Sequence, residues 1–466
     1  MFHTHIAGAT HADVNLASPQ WLVLPDDVNG LDPKLWPSGV SRGADGALTV
    51  AGHNLTDVVS QWGTVLYLLD EADFRRRAQA FTQAFAGWQV SYAGKALLSR
   101  GLARWVAEEN LGLDVCSGGE LTVALAAGFP PERISFHGNN KSLAEIRQAI
   151  AGGVGRIIVD SLDEIHRLET VAEELETTVR VLVRVTTGVE AHTHDYIATA
   201  HEDQKFGFSI ASGQALVALV RCFASDWLQL AGVHSHIGSQ IFDMAGFEVA
   251  TGRAMRLMAQ FREATGHQLA ELNLGGGFGI AYTPADQPLS IAASADSLRQ
   301  IVEQASRAFD LTDVQLAIEP GRAIVGPASL AVYEVGTVKP VELDGGAQRL
   351  YISVDGGMSD NIRPALYAAE YSAVLANRAS EAPAVLCRVV GKHCESGDIL
   401  VRDVFLPGDI RPGDLIAVPA AVAYARSMAS NYNWLPRPPV VAVTTEGTYP
   451  LLRRETLDDM LALDAG

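Results

Sequence analysis

A chain of 466 residues that is 48% hydrophobic is long enough for two domains of ordinary size and an extensive core. Its 54 acidic against 35 basic residues leave a net charge of −19, which disfavours nucleic acid and anionic membrane surfaces and favours a small-molecule substrate. No apolar run approaches the roughly 20 residues of a membrane span, the start MFHTHIAGATHADVN has neither segment of a secretory signal, and Cys116, Cys222, Cys387 and Cys394 show no CxxC pairing, so a cytoplasmic protein with reduced thiols is expected.

From about residue 65 to 320 short β-branched runs alternate with stretches of helical period, the pattern of repeated βα units. Eight runs are predicted as strands: Gln89–Ala93, Leu111–Val115, Arg133–Phe136, Arg156–Val159, Val179–Val185, Leu230–Ser235, Glu271–Leu274 and Val314–Ile318. Three intervening helices open on capping-box patterns, Ser117 with Glu120, Ser142 with Glu145 and Ser161 with Glu164. Eight such units fit an α/β fold of the (β/α)8 barrel type over residues 61–325, with the active site at the C-terminal strand ends. Polar residues collect there: Lys95 after the first run, Asp114 and Ser117 after the second, His137 and Asn139 after the third, and Asp160 and Arg184 after the fourth and fifth. His236, the glycines from Gly275, and Glu319 close the series. After about residue 325 short strands in SLAVYEVGTV, RLYISVDGG, AVLCRVVGKHC and DLIAVPA, set between turns, predict a C-terminal β-domain over 326–466. The segment 1–60, with a short strand at ALTVAG, is expected to associate with that β-domain.

Several of these residues carry possible chemistry, each beside a plainer reading. Lys95 can snorkel to solvent; in a desolvated barrel mouth it can form a Schiff base with an aldehyde. NLGGGFG can be an ordinary flexible turn, or it can cradle a phosphate with bare backbone N–H groups, a use favoured by its place after strand seven. His234 and His236, at alternate positions of HSHIGSQ, are read as unable to share the barrel interior. With no third ligand at metal spacing and EAHTHD in a separate loop, no metal is expected. One imidazole can lie against a planar cofactor with Ser239 donating to its phosphate, or be a core histidine. Glu319 of EPGRAI can pair with an arginine, or hold a pyridine nitrogen protonated as part of an electron sink; Arg322 can bind a phosphate or a carboxylate. MSDNIRPALY and GKHCESGD read as turns of the β-domain, Cys394 as a small buried hydrophobe, and Tyr424 as a packing residue.

Taken together, YAGKA, DVCSGGEL, FHGNNKS, GVEAHTHDYIATAHEDQKFGFS, HSHIGSQ, LNLGGGFG, EPGRAI, VDGGMSDNIRPALY and CESGDIL are specific enough to name a family. In order, from about residue 35 to the RRETLDDMLAL end, the chain resembles the diaminopimelate decarboxylases of the alanine-racemase-like, fold type III group that uses pyridoxal 5′-phosphate (PLP). The resemblance implies that Lys95 carries the cofactor, that His236 stacks on its ring, that Ser239, Gly276, Gly277 and Tyr424 hold its phosphate, and that Glu319 holds its ring nitrogen. It implies Arg322, Arg363 and Tyr367 for the substrate's distal carboxylate. Cys394 and Glu395, arriving from a second subunit, would protonate the intermediate and grip the distal ammonium, so a homodimer with shared sites is expected. Two positions depart from the pattern: Val422 where GAY is usual before Tyr424, and Cys116 where a smaller residue is common.

The implied reaction is decarboxylation of meso-2,6-diaminopimelate to L-lysine, the last step of lysine biosynthesis, with Cys394 as proton donor. The nearest alternative is a decarboxylase of ornithine, lysine or arginine on the same fold. Those substrates lack a second carboxylate, and Arg363 with Tyr367 disfavours them by resemblance. A racemase would need a second acid–base group, and none is identified; a non-catalytic PLP-binding relative is disfavoured by the retention of Lys95, Glu319 and Cys394 together.

Overall fold

The computed structural model describes Pro19 and residues 21–189, 205–343 and 348–466; the EAHTHD stretch lies outside these. The chain divides into two compact units, one of residues 1–74, 280–286 and 325–466, the other of residues 75–279 and 287–324.

In the first unit, β1 (Val40–Arg42), β2 (Leu48–Val50) and β3 (His53–Asn54) form a small antiparallel sheet, followed by helix α1 (Leu55–Trp62) and β4 (Leu66–Asp70). The ALTVAG strand therefore pairs locally, and it joins the C-terminal part through a backbone bond from Leu48 N to Ala376 O, 2.7 Å, and through the packing of Leu48 and Val50 in one core with Leu330, Val374 and Val441. Strand β4, expected within the barrel stretch, lies between two other strands of this unit's large sheet. A continuous apolar run such as LYLLD suits any strand buried on both faces, and periodicity alone does not assign it to a sheet.

The second unit is a closed parallel barrel. Its strands are β5 (Gln89–Ala93), β6 (Gly112–Val115), β7 (Ile134–Phe136), β8 (Arg156–Val159), β9 (Val179–Thr186), β11 (Leu228–His234), β12 (Glu271–Asn273) and β13 (Gln315–Ile318), with the short β10 (Phe208–Ser209) on the flank of β9. Pairing of β13 with β5 and of β8 with β9 completes the ring. All eight strands fall on the predicted runs because parallel strands, covered by helices, read as nearly unbroken apolar segments. Of the three predicted capping boxes, only that at Ser142 is reciprocal. Ser117 and Ser161 accept from Glu120 N and Glu164 N, but the glutamates reach one residue further back, to Cys116 N (2.6 Å) and Asp160 N (2.8 Å). Near the N-terminal ends of the strands, Glu271 is buried and pairs with Arg156 and, at 3.0 Å, with Arg180. A buried carboxylate there needs such partners.

The large sheet of the first unit is built around β14 (Ser329–Glu342), which pairs antiparallel with β15 (Gln348–Val354), β19 (Leu415–Pro419) and β4. β16 (Val374–Leu375) extends the β19 side, β17 (Ala384–Val390) and β18 (Ile399–Pro407) the β15 side, and β20 (Val440–Val443) and β21 (Thr448–Leu452) the β4 side. The predicted C-terminal strands are β14, β15, β17 and β19.

Candidate active site

In the barrel unit the C-terminal strand ends bring Lys95, Asp114, His137, His234, His236 and Glu319 into one electrostatically linked group. Lys95 stands on a 3-10 turn, Gly94–Ala96, directly after β5, exposed between two buried neighbours. Gly94 is required there, since a β-carbon would fall 2.7 Å from Asp114 O.

Glu319, 7% exposed, is the hub of the group. Its carboxylate accepts from Asn273 Nδ2 at 2.7 Å and from His234 Nε2 at 3.0 Å, and His137 Nε2 lies 3.2 Å away. Its backbone N–H donates to Gly275 O at 2.9 Å, tying the eighth strand end to the glycine loop. Burial alone would raise its pKa, but the two histidines hold it well below the usual carboxylate range. Burial likewise works to lower His137, yet Glu319 and Asp114 hold that imidazole up at about 9. His234 is taken down to about 4, chiefly by burial, and Asp114 is pushed up to about 7 by burial and by Glu319. At neutral pH the hub is thus an ionised Glu319 flanked by a cationic His137 and a neutral His234 whose proton sits on Nε2.

The expectation that His234 and His236 cannot share the interior is corrected. Residues two apart on a strand point to the same face; His234 bonds Glu319, and His236 feels Lys95, Arg184, His234 and Glu319. Nor is a third donor absent, because the ligand atoms of His137, His234 and Glu319 lie within 4.8 Å of one another. Donors from strands three and eight cannot be found by spacing along strand six.

Gly276 N donates to His236 Nδ1 at 3.3 Å, which leaves that ring's proton on Nε2; burial and the Lys95 charge push its pKa well down, so it stays a neutral flat ring. The loop admits only glycine. Gly275 and Gly277 have φ of 69° and 113°, and a β-carbon on Gly276 would lie 2.2 Å from Glu319 O. Arg322, on the short helix Arg322–Val325, donates from Nη2 to Ser239 Oγ at 2.9 Å. An amine, a neutral ring, a glycine loop with a hydroxyl and a guanidinium, and a buried ionised carboxylate fit an aldehyde-bearing pyridine phosphate group by group.

The remaining predicted residues lie in the other unit. Arg363 is 5% exposed, and no carboxylate of the described residues pairs with it; its Nη1 donates to Tyr371 OH, and its guanidinium carbon stands 4.8 Å from the Tyr282 ring centroid. Tyr367 is 61% exposed, at the end of the same short helix, Arg363–Tyr367. Cys394 and Glu395 are exposed, not buried as the plainer reading of Cys394 had it, yet their loop is firmly held. Buried Asp398 accepts from Met358 N at 2.6 Å and His393 N at 2.8 Å, and buried His393 meets Ser359 Oγ at 2.9 Å and Asn433 Oδ1 at 3.1 Å. Tyr424, with φ of 66°, follows Val422 and Ala423, both fully buried.

Sequence reasoning gave no role to Asn273, Tyr282, Tyr371, His393 or Asp398. Asn273, a polar residue closing an apolar strand before three glycines, carried a usable signal; the two tyrosines carried none.

The chain is also similar to known proteins. Residues 71–326 match the family model described as pyridoxal-dependent decarboxylase, pyridoxal binding domain. A diaminopimelate decarboxylase of Mycobacterium leprae is 52% identical, over 99% of this chain and 99% of its own. Among solved structures, the diaminopimelate decarboxylase of M. jannaschii in complex with L-lysine superposes with a TM-score of 0.85 at 30% identity, covering 93% of this chain and 99% of that one. The Helicobacter pylori enzyme, also with L-lysine, gives 0.79 at 30% identity, covering 88% and 99%.

Proposed function

We propose a division of labour among the residues above, from the premise that this chain belongs to the pyridoxal-dependent decarboxylases and, within them, to the diaminopimelate decarboxylases. It is a PLP-dependent carboxy-lyase that converts meso-2,6-diaminopimelate to L-lysine and CO2, the last step of lysine biosynthesis. When bound, the cofactor supplies the electron sink for the pair left behind as CO2 departs.

Lys95 Nζ would hold the cofactor through its aldehyde carbon. His236 would lie against the ring, Gly276, Gly277 and Ser239 would receive the phosphate together with Tyr424, and Glu319 would keep the ring nitrogen protonated. The low pKa of Glu319 suits that task, because an ionised carboxylate favours the protonated form of a nitrogen beside it. Arg322, Arg363 and Tyr367 bind the distal carboxylate, and Glu395 binds the distal ammonium. Cys394 delivers the Sγ–H proton to the carbon that lost CO2 and is reprotonated from solvent.

We further propose a homodimer in which the Cys394 loop of one subunit completes the Lys95 site of the other. Support comes from a loop that is rigidly held yet exposed, with Tyr367, Trp434 and Leu366 also exposed at 61%, 54% and 56%. Four free thiols agree with a cytoplasmic location.

The observation that carries the dicarboxylic reading is Arg363, a buried cation without a carboxylate partner. Such a charge is costly unless an anion arrives to meet it. The test is CO2 release from meso-diaminopimelate, L-lysine, L-ornithine and L-arginine in parallel. Turnover confined to meso-diaminopimelate is expected; preferential turnover of a monocarboxylic substrate would favour the ornithine-type alternative.

A further inference from the structure

We propose that Tyr371 is a positioning residue that, with Tyr282, fixes the guanidinium of Arg363 for the distal carboxylate and so sets the preference for a dicarboxylic substrate. This rests on the reading of Arg363 given above and adds two residues, 81 and 8 positions away in sequence, that no motif singled out.

Arg363 opens a five-residue helix, and its guanidinium is surrounded by neutral groups. Tyr371 OH accepts from Nη1, and the guanidinium carbon lies 4.8 Å from the Tyr282 centroid and 5.6 Å from that of Tyr371. The two rings meet edge to face, with centroids 5.0 Å apart and planes at 78°. Ring faces attract a cation without neutralising it, so this cage holds a positive charge in a buried place while leaving the charge itself unspent. A carboxylate would have competed with substrate; a phenol does not.

Orientation is the second effect. A guanidinium has five N–H groups in a rigid plane, and two must be parallel to meet a carboxylate bidentately. The rings restrict that plane, and the Tyr371 hydroxyl fixes rotation within it by engaging one N–H. The cage is itself braced. Tyr282 N and Thr283 N both donate to Asp286 Oδ2, at 2.9 and 2.8 Å, and Ser372 Oγ, next to Tyr371, donates to Tyr282 O at 3.1 Å. Tyr371 is 1% exposed and Tyr282 5%, so neither has freedom to turn away.

The test uses the PLP-loaded enzyme and two competitive inhibitors of meso-diaminopimelate turnover, α-aminopimelate, which keeps the distal carboxylate, and the diamine cadaverine, which lacks it. Tyr371→Phe retains the ring and removes only the hydroxyl. The expected result is a rise of about three- to tenfold in KM and in the inhibition constant of α-aminopimelate, with the constant for cadaverine and kcat each within about twofold of wild type. Equal rises for both inhibitors, or a rise for neither, would overturn the proposal. Arg363→Ala in the same assay separates the two levels: if it leaves the ratio of the two inhibition constants unchanged, the assignment of Arg363 fails. If it shifts the ratio while Tyr371→Phe does not, only the positioning role fails.

Discussion

The barrel rim and the loops of the β-rich unit hold their candidate residues by different means. On the rim each residue follows a strand, so the register of a parallel sheet places it: Lys95 after β5, Asp114 on β6, His234 and His236 at the end of β11, Glu319 after β13. In the other unit Cys394 and Glu395 follow a loop whose position is set by side chains, above all by Asp398 accepting from both Met358 N and His393 N. Glycines allow the two loops to press together: a β-carbon on Gly391 would lie 2.2 Å from Asp398 Oδ2 and 2.5 Å from Gly357 Cα. The electrostatics differ as well. The rim balances charge against charge around Glu319, whereas Arg363 sits among neutral rings. Residues placed by register are tuned by charged neighbours here, and residues placed by loops depend on a few hydrogen bonds.

The strongest way to break this comparison is to put the two regions on different chains. Lys95→Ala and Cys394→Ala homodimers are each expected to be nearly inactive. Refolding an equal mixture makes about half of the dimers mixed, each with one site carrying both lesions and one carrying neither, which gives about a quarter of wild-type activity. If nothing is recovered while wild-type controls refold, Cys394 acts within its own chain or not at all.

Two glycine replacements sharpen the comparison with a smaller effect. Overpacking at such contacts costs about 1–3 kcal/mol. Gly276→Ala drives a β-carbon against Glu319 O, so cofactor affinity should fall about tenfold or more, as measured by equilibrium dialysis of PLP. Gly391→Ala strains the Cys394 loop instead, so kcat should fall by about tenfold with PLP affinity unchanged. The opposite pattern in either variant contradicts the division of labour.

The smallest effect is on stability. The His137 pKa, about 9, is raised above the ordinary histidine value by Glu319 and Asp114 against the opposing effect of burial. A raised imidazole contributes stability that is complete below about pH 6.5 and is lost as pH rises through about 9. Wild type should therefore lose on the order of 2 kcal/mol relative to His137→Gln between pH 6.5 and 9, read as a convergence of their thermal midpoints. Parallel midpoints across that range would remove His137 from the charged hub.

The rim was legible in sequence because strand and helix periods mark the βα units and chemistry gathers where strands end. Lys95, Glu319 and the glycine loop fall on one rim from the sequence alone. The failures were local and geometric. His234 and His236 are read as unable to share the interior although residues two apart share a face, the barrel bounds of 61–325 take in Leu66–Asp70 of the other unit, and two of three glutamates cap the residue before the serine. The setting of Arg363 was illegible for a deeper reason, since Tyr282 and Tyr371 join it through tertiary contact with no spacing rule to connect them.

Strand β4 carries a consequence for how this protein is made. It is completed early, yet its two partners are Ser329–Val332 and Val440–Val443, so the buried-type segment LYLLD has no partner until Val332 is made and one unmatched edge until the last tenth of translation. The barrel has all its strands once Ile318 is out. Between those moments the nascent protein exposes an apolar strand edge although its barrel strands are complete, a target for holding chaperones on the ribosome.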